Sequence, residues 1–521
     1  MKMHMGLLNK SESTNRFIEM KARFLKIGMG LFLIAASICL VNGLFLPFAY
    51  EINHFPRIIV WGSFAGITAV IWRLFNRIDQ INIEKADIIA DRLSYIYICA
   101  LFAVYLLLGY WMEYTPSGDN FMLYQASQTL AKHGRFEPGS DFLLYFGRYS
   151  NQWGFLLLLT GIYKVLFVLG IQNTFYPLVI IQAVMYAFAI RSLYRVAGCF
   201  AGGKGKLRLT VILVFCLPMI LAATVLYTDT FSMPFIVFML ETSLRVIEAD
   251  SARKRIGWAV LSGIMAFLGT QIKMTVLIVL MAASIIWLLR LPIRHAVISV
   301  VTAVGLVIVG LGAVHQYMLN NILDTKVYAQ EHTPIIHWIM MSIPSADNPY
   351  GGYYSRDYAI TWGMMDEGAD QKEVMDSIYS RMKDKIYTLR YPNRLILAML
   401  RKNSASMNDG TFGMTEMLDD RPVRWNLISE IVLEPGRWYR IYGAVTTGIW
   451  MSQLFLGIIG IRGAFKKHRF NQEIICVACL GIVLFLLIWE ARSRYLFGYI
   501  PLFLLLSALS GCDEGGIINQ V

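Results

Sequence analysis

The sequence predicts an all-α polytopic membrane protein of about twelve transmembrane helices with a large extracytoplasmic loop domain. Three observations carry that prediction. Of the 521 residues, 56% are hydrophobic and only 16% charged, where a soluble protein carries about a quarter. Apolar stretches of about 20 residues, each long enough to cross a bilayer as a helix, recur from end to end. Basic residues gather in the short loops between them. Backbone groups in lipid must pair within their own segment, which leaves helices as the spanning element.

The candidate spans run over 27–49, 57–74, 94–112, 153–170, 174–191, 209–227, 230–246, 256–272, 274–290, 296–317, 441–461, 474–489 and 495–510. Residues 1–26 are polar and basic, and no small-residue cleavage site follows the first span. That pattern predicts a retained span rather than a removed signal peptide. The basic clusters are Lys10, Arg16, Lys21, Arg23 and Lys26; Arg73, Arg77, Lys85 and Arg92; Arg191, Arg195, Lys204, Lys206 and Arg208; Arg245, Arg253, Lys254 and Arg255; Arg290 and Arg294; and Arg462, Lys466, Lys467 and Arg469. All are expected on the cytoplasmic side, with both chain ends. Asp119, Asp229, Lys273, segment 319–440 and Glu490–Arg494 then fall on the outer side. One conflict remains: two full crossings between 150 and 191 would put the basic loop 191–208 outside. The loop charges are the stronger signal, so 153–170 is expected to be shallow or re-entrant.

Four regions follow: 1–93, the N-terminus and two extra spans; 94–318, a transmembrane core with first outer loop 113–152; 319–440, the extracytoplasmic loop domain; and 441–521, the C-terminal spans. Segment 319–440 is too long for an ordinary connection, which points to function. Within it, Asp370 and Glu373 have capping-box spacing. Val374, Ile378, Met382 and Ile386 then form one apolar stripe, expected to rest on the membrane or the span bundle. Pro392 interrupts, and a second helix is predicted from Arg394 to Lys402. Gly351-Gly352 and Asn408-Asp409-Gly410 read as turns. No internal repeat is evident, which weighs against an inverted-repeat transporter.

The net charge of +12 belongs to the membrane loops and does not indicate nucleic acid. Most of the seven cysteines lie inside apolar runs. Cys476 and Cys479 have CxxC spacing but no second ligand pair, and read as packing.

Chemistry-bearing side chains gather at the outer span ends. Asp119 opens the polar loop after the third span, in Tyr114-Thr115-Pro116-Ser117-Gly118-Asp119-Asn120; it reads as a general base or as a solvated loop carboxylate. Arg148-Tyr149-Ser150-Asn151 closes that loop. Asp229, after Tyr227-Thr228, reads as a site residue or as a helix N-cap. Lys273 reads as a phosphate contact or as a snorkelling lysine. Trp489-Glu490-Ala491-Arg492-Ser493-Arg494-Tyr495 places Glu490 and Arg494 at i, i+4, where the pair orients an arginine toward a ligand, or forms a plain interfacial turn. One base and several cations suit sugar transfer from a lipid phosphate to a hydroxyl. The base takes the acceptor proton and the cations offset charge on the departing phosphate. The chain has no Gly-rich phosphate loop after a strand, no αβ alternation, and no HExxH or GxSxG motif.

Taken in order, Gly118-Asp119-Asn120, Arg148-Tyr149-Ser150-Asn151-Gln152, Tyr227-Thr228-Asp229, Gln271-Ile272-Lys273-Met274, His337-Trp338, Gly351-Gly352-Tyr353-Tyr354 and Trp489 to Tyr495 resemble the GT-C membrane glycosyltransferases. The likeness is greatest to bacterial members of the protein O-mannosyltransferase and aminoarabinose-transferase group, in forms found in Gram-positive bacteria. It covers roughly residues 95–505 and rests on the ordered set rather than on any one motif. The resemblance implies an inverting transferase that uses a polyprenyl-phosphate sugar at the outer face of the cytoplasmic membrane, with Asp119 as base. By extension Lys273, Arg492 and Arg494 contact the donor phosphate, while Arg148, Tyr149, Asp229, His337 and Glu490 bind or support substrate. The implied partners are the lipid-linked donor, a glycan, glycolipid or protein acceptor, and the bilayer. Two departures stand out. Asn120 follows Asp119 where many members carry a second acid, and two extra spans precede the Asp119 loop. With no DxD motif, no essential metal is expected. A lipid-linked sugar transporter or flippase and a polysaccharide polymerase or ligase are the alternatives. The first would hold its ionisable groups at mid-span, and the second would use a lipid-diphosphate oligosaccharide.

Overall fold

The computed structural model describes residues 2–46, 55–418, 422–466 and 472–510; of 2–18 and 464–466 it describes the backbone alone. Lys467 and Arg469 of the last basic cluster, the last residues of the expected span 27–49, and the side chains of Lys10, Arg16 and Lys466 lie outside the described residues.

Among the described residues the elements are helices, with one isolated bridge between Tyr114 and Pro422. Nine helices among the described residues are long and apolar enough to cross a membrane: Glu19–Phe45, Arg57–Asp79, Ile83–Trp111, Ser150–Val168, Phe175–Phe215, Thr228–Glu248, Ala252–Ile272, Ile293–Asn321 and Tyr439–Gly463. Met274–Arg290 and Glu473–Ile488 are shorter apolar helices. Many of these helices keep an apolar face open. On Ile293–Asn321, Val301, Ile308 and Val309 are all more than 60% exposed. An apolar face of that size belongs against hydrocarbon rather than water.

Three expected spans differ from the structure, and one of them, 495–510, is two short helices, Arg494–Phe497 and the fully buried Ile500–Ala508. The stretch Phe175–Phe215 contains 174–191 and the start of 209–227 but is not straight. Ala201 and Gly202 leave helical geometry, Gly202 with φ +56°. The two arms fold back on each other, so that Tyr194 Oη and Thr210 Oγ1 lie 2.9 Å apart. A Cβ on Gly203 would meet the Asp87 backbone nitrogen at 2.5 Å; glycine is needed for the close approach. The second arm ends at Phe215. Pro218 opens a new short helix, Leu217–Leu221, so 209–227 is not one helix.

This fold-back gathers the basic loops at one end of the bundle. Arg208 grips both Asp79 oxygens at 2.5 and 2.6 Å. Lys206 pairs with Asp91 and Arg195 with Glu241, and Arg290 pairs with Glu473. Phe175, at the other end of its arm, packs on Tyr114, and Tyr176 donates to the Leu106 carbonyl. That arm therefore starts at the Trp111 end of Ile83–Trp111. The helix Trp153–Val168 begins beside Phe146, to whose carbonyl Trp153 donates, and the loop after it leads straight to Phe175. Both of its ends thus lie at the Trp111 end of the bundle, although its length and composition match a crossing helix.

Between Asn321 and Tyr439 the described residues form short helices; Ile335–Ser342, Ser355–Asp366 and Gln371–Thr388 share a small core of their own, whereas Met407, Phe412, Met414 and Val432 pack into the span bundle. Asp370 and Glu373 cap Gln371–Thr388 reciprocally, at 2.8 and 3.1 Å. The stripe on that helix is buried differently from the expectation. Val374 and Ile378 pack on Met340 and Met365 in the segment's own core, and Ile386 faces outward, 53% exposed. The stripe closes the small domain rather than resting on the membrane or the bundle. The helix predicted from Arg394 spans Pro392–Met407, with Pro392 in the first turn where its missing N–H costs nothing.

Candidate functional site

Asp119 lies in the first turn of Gly118–His133 and is half-buried. A carboxylate there faces the unpaired N–H groups of the helix start. Its two oxygens accept from two phenols, Tyr145 Oη at 2.8 Å and Tyr227 Oη at 3.3 Å. Gln152 Nε2 donates to Tyr145 Oη in turn at 3.0 Å. The first phenol comes from Asp141–Arg148 within the same loop, and the second from the N-cap of Thr228–Glu248.

Tyr227 joins Asp119 to a second cluster. Arg494 lies over the Tyr227 ring, its guanidinium carbon 5.5 Å from the centroid. Arg494 Nε is 4.0 Å from Asp229 Oδ2, and the other Asp229 oxygen pairs with Lys273. Lys273 Nζ sits 4.2 Å over the Tyr495 ring. Asp229 is 2% exposed. It is not the N-cap, which is Tyr227, but a buried carboxylate shared by two cations. Lys273 ends Ala252–Ile272 in extended backbone; it is paired, and snorkelling does not describe it.

The Glu490-to-Tyr495 turn is arranged otherwise than its spacing implied. Glu490 accepts from Tyr495 Oη at 2.9 Å and lies 3.6 Å from Arg492, not against Arg494. The Arg492 guanidinium reaches Glu416 at 2.8 Å, so the expected third phosphate contact is engaged with two carboxylates. Arg148 braces the two outer segments: it pairs with Glu331 at 2.6 Å and with Asp366, and its guanidinium covers Trp362 at 4.3 Å. Tyr149 packs between Tyr145, Trp338 and Trp362. His337 is fully buried in the small domain, bonded through Nδ1 to Thr361 at 3.0 Å. Burial, with Arg381 and Lys385 nearby, lowers its imidazole pKa to about 4. It supports the domain and does not face Asp119.

Sequence reasoning missed four residues. Tyr145 carries no motif of its own, and Tyr227 stood in Tyr227-Thr228-Asp229 only as the neighbour of Asp229. Asp409, read only as part of a turn, is 3% exposed. It accepts from Thr411 N and Oγ1, Gly413 N and Ser493 Oγ, all at 2.6–2.8 Å. That clamp fixes the residue before Arg494. Lys402 donates at 2.8 Å to the Ser342 and Trp489 carbonyls, and burial pushes its ammonium down to about 7. Both are single polar residues in mixed sequence, and no spacing rule marks them.

A family model described as "conserved hypothetical integral membrane protein" matches residues 125–513. No curated protein matches the chain. Among solved structures, a crystal structure of ArnT from Cupriavidus metallidurans bound to undecaprenyl phosphate matches with 13% identity. The match covers 80% of this chain and 77% of that chain at a TM-score of 0.34, a likeness too low to carry an argument about this site.

Proposed function

The chain belongs to this family of conserved hypothetical integral membrane proteins, and we propose that it is an inverting glycosyltransferase. In this reading a sugar moves from a polyprenyl-phosphate donor to an acceptor hydroxyl at the outer face of the cytoplasmic membrane, in assembly of a cell-envelope glycan or glycolipid. The observation that carries the reading is the shared carboxylate. Asp229, itself buried, meets two partly exposed cations, Lys273 and Arg494. Glu490 also acts on both cations, so the cluster is not left with an unbalanced charge; what it offers an incoming anion is two cations side by side, each still partly exposed. A phosphate monoester supplies that anion, and arginine offers it parallel N–H donors.

Asp119 stands on the far side of Tyr227 from those cations. It takes the proton from the acceptor hydroxyl as that oxygen attacks the anomeric carbon. The bond from that carbon to the phosphate oxygen breaks, and Lys273 and Arg494 hold the charge that develops there. Tyr145 and Tyr227 donate to Asp119, which fixes its orientation. Arg492 and Glu490 shape the turn that carries Arg494, and Arg148 with Tyr149 seats the small helical domain against the Asp119 loop. The residue set needs no metal for this chemistry.

Asp119→Asn tests the reading. Loss of a positioned general base lowers turnover by about 10²–10⁴-fold. Membranes carrying a radiolabelled polyprenyl-phosphate sugar give the measurement, and a folded Asp119→Asn protein with full transfer activity removes Asp119 as base.

A further inference from the structure

A row of aromatic rings leads away from Asp119 into the small helical domain. It begins at Tyr145, which donates to Asp119, and passes to Tyr149 at 4.6 Å between centroids. Trp362 follows at 5.5 Å, then Tyr358 at 3.6 Å and Tyr353 at 5.7 Å. The row is not the core that holds the domain together. That core is Met340, Met365, Val374 and Ile378, and of the row only Trp362 packs on it. None of the five rings is fully buried, and Tyr353 is 42% exposed. A domain burying these rings for stability alone would have closed over them.

The row also carries polar edges. Trp362 Nε1 is shielded from solvent and has no hydrogen-bond partner, although a buried indole N–H ordinarily finds one. Arg148 covers one face of Trp362. Burial raises the phenol pKa values of Tyr353 and Tyr358, with the Asp119 charge contributing to both, so the hydroxyls stay protonated and able to donate near that carboxylate. Flat apolar faces edged by hydroxyl donors match a pyranose ring, which has an apolar C–H face and a rim of hydroxyls. An isoprenoid tail has no use for the Tyr353 and Tyr358 hydroxyls.

We propose that the row from Tyr353 to Tyr145 is a binding platform for a carbohydrate acceptor, which stacks on the rings and presents a hydroxyl to Asp119. This rests on the transferase reading for the identity of the reacting end. It makes the acceptor a neutral glycan or the sugar part of a glycolipid, rather than a protein.

The test is ligand binding by saturation-transfer NMR on the full chain in detergent, with maltohexaose, cellohexaose and chitohexaose as probes and farnesyl phosphate as the lipid comparison. Tyr353→Ala and Tyr358→Ala are the variants, each checked for an unchanged melting temperature, with Asp119→Asn alongside. At least one oligosaccharide is expected to receive saturation at its ring protons. Removing one stacked ring is expected to weaken it by about threefold to tenfold, while Asp119→Asn, which alters the contact at one hydroxyl and removes no ring, still shows saturation. The proposal is overturned if none of the three sugars is saturated, or if both tyrosine variants bind them like the wild type. It is equally overturned if farnesyl phosphate alone is saturated and loses the signal in Tyr353→Ala. Binding needs neither donor nor turnover. An active Asp119→Asn enzyme would therefore sink the catalytic reading and leave the platform standing.

Discussion

Asp229→Asn separates a phosphate site from a merely structural ion pair. The substitution keeps the shape and one oxygen but removes the carboxylate charge that lies nearest to both Lys273 and Arg494, leaving them Glu490. Side-chain exposure is 1% for Asp229, 14% for Lys273 and 19% for Arg494, so little water can compensate. Removing one partner of a buried pair costs about 3–5 kcal/mol. The cations retain some exposure, which places this case near 3 kcal/mol on that scale. Lys273→Met is milder, because Asp229 still faces Arg494 at 4.0 Å. A bound anion should reverse the larger loss. In the wild type, a ligand at about 100 times its Kd adds about 2.7 kcal/mol. In Asp229→Asn the gain should be larger, since the anion also replaces the missing charge. Thermal unfolding of the purified protein in detergent, with farnesyl phosphate or uncharged farnesol, reads both effects. The reasoning fails if Asp229→Asn melts with the wild type. It fails too if farnesyl phosphate and farnesol raise the melting temperature equally.

Other outcomes follow from the outer segments. Arg148→Lys keeps the charge but loses the planar group that reaches Glu331 and Asp366 while covering Trp362. It should cost about 2–4 kcal/mol locally and raise hydrogen exchange across Thr325–Glu331 and Ser355–Asp366 before the long helices respond. His337 stays neutral in the fold down to about pH 4, while its unfolded form takes a proton near pH 6.5. The unfolded chain therefore binds more protons in that window, and stability falls as pH drops from 6.5 toward 4, by about 3 kcal/mol in all. Urea midpoints measured across the window should show that slope, and His337→Gln should flatten it. Gly410→Ala places a Cβ 2.3 Å from the backbone of Thr446 and Thr447. The Asp409 clamp then has to shift, so transfer activity should drop well before folding is lost.

Much of this protein was legible residue by residue. The apolar stretches, the basic loops and the Asp370–Glu373 cap follow from local rules that need no neighbour, because a bilayer-spanning helix satisfies its own backbone. The doubt about 153–170 was legible too, since the charged loop 191–208 belongs with the other basic loops, and the fold-back at Gly202 puts it there. The destination of the stripe on Gln371–Thr388 was not legible. Periodicity says that a face is buried, and it does not say against what.

The candidate site divides the same way. Sequence alone determined which charged groups stand at span ends, because lipid tolerates so few of them that each is conspicuous: Asp119, Asp229, Lys273 and the Glu490-to-Arg494 turn. Only the tertiary structure decided who pairs with whom. It gave Asp229 to both Lys273 and Arg494, turned Arg492 to Glu416, withdrew His337 into a separate core, and placed Tyr227 between Asp119 and the cations. Partners that lie from about 40 to more than 250 positions apart along the chain, such as Lys273 with Asp229 and Arg494 with Asp229, meet because helix packing brings their ends together. Neither composition nor spacing along a single helix encodes that meeting.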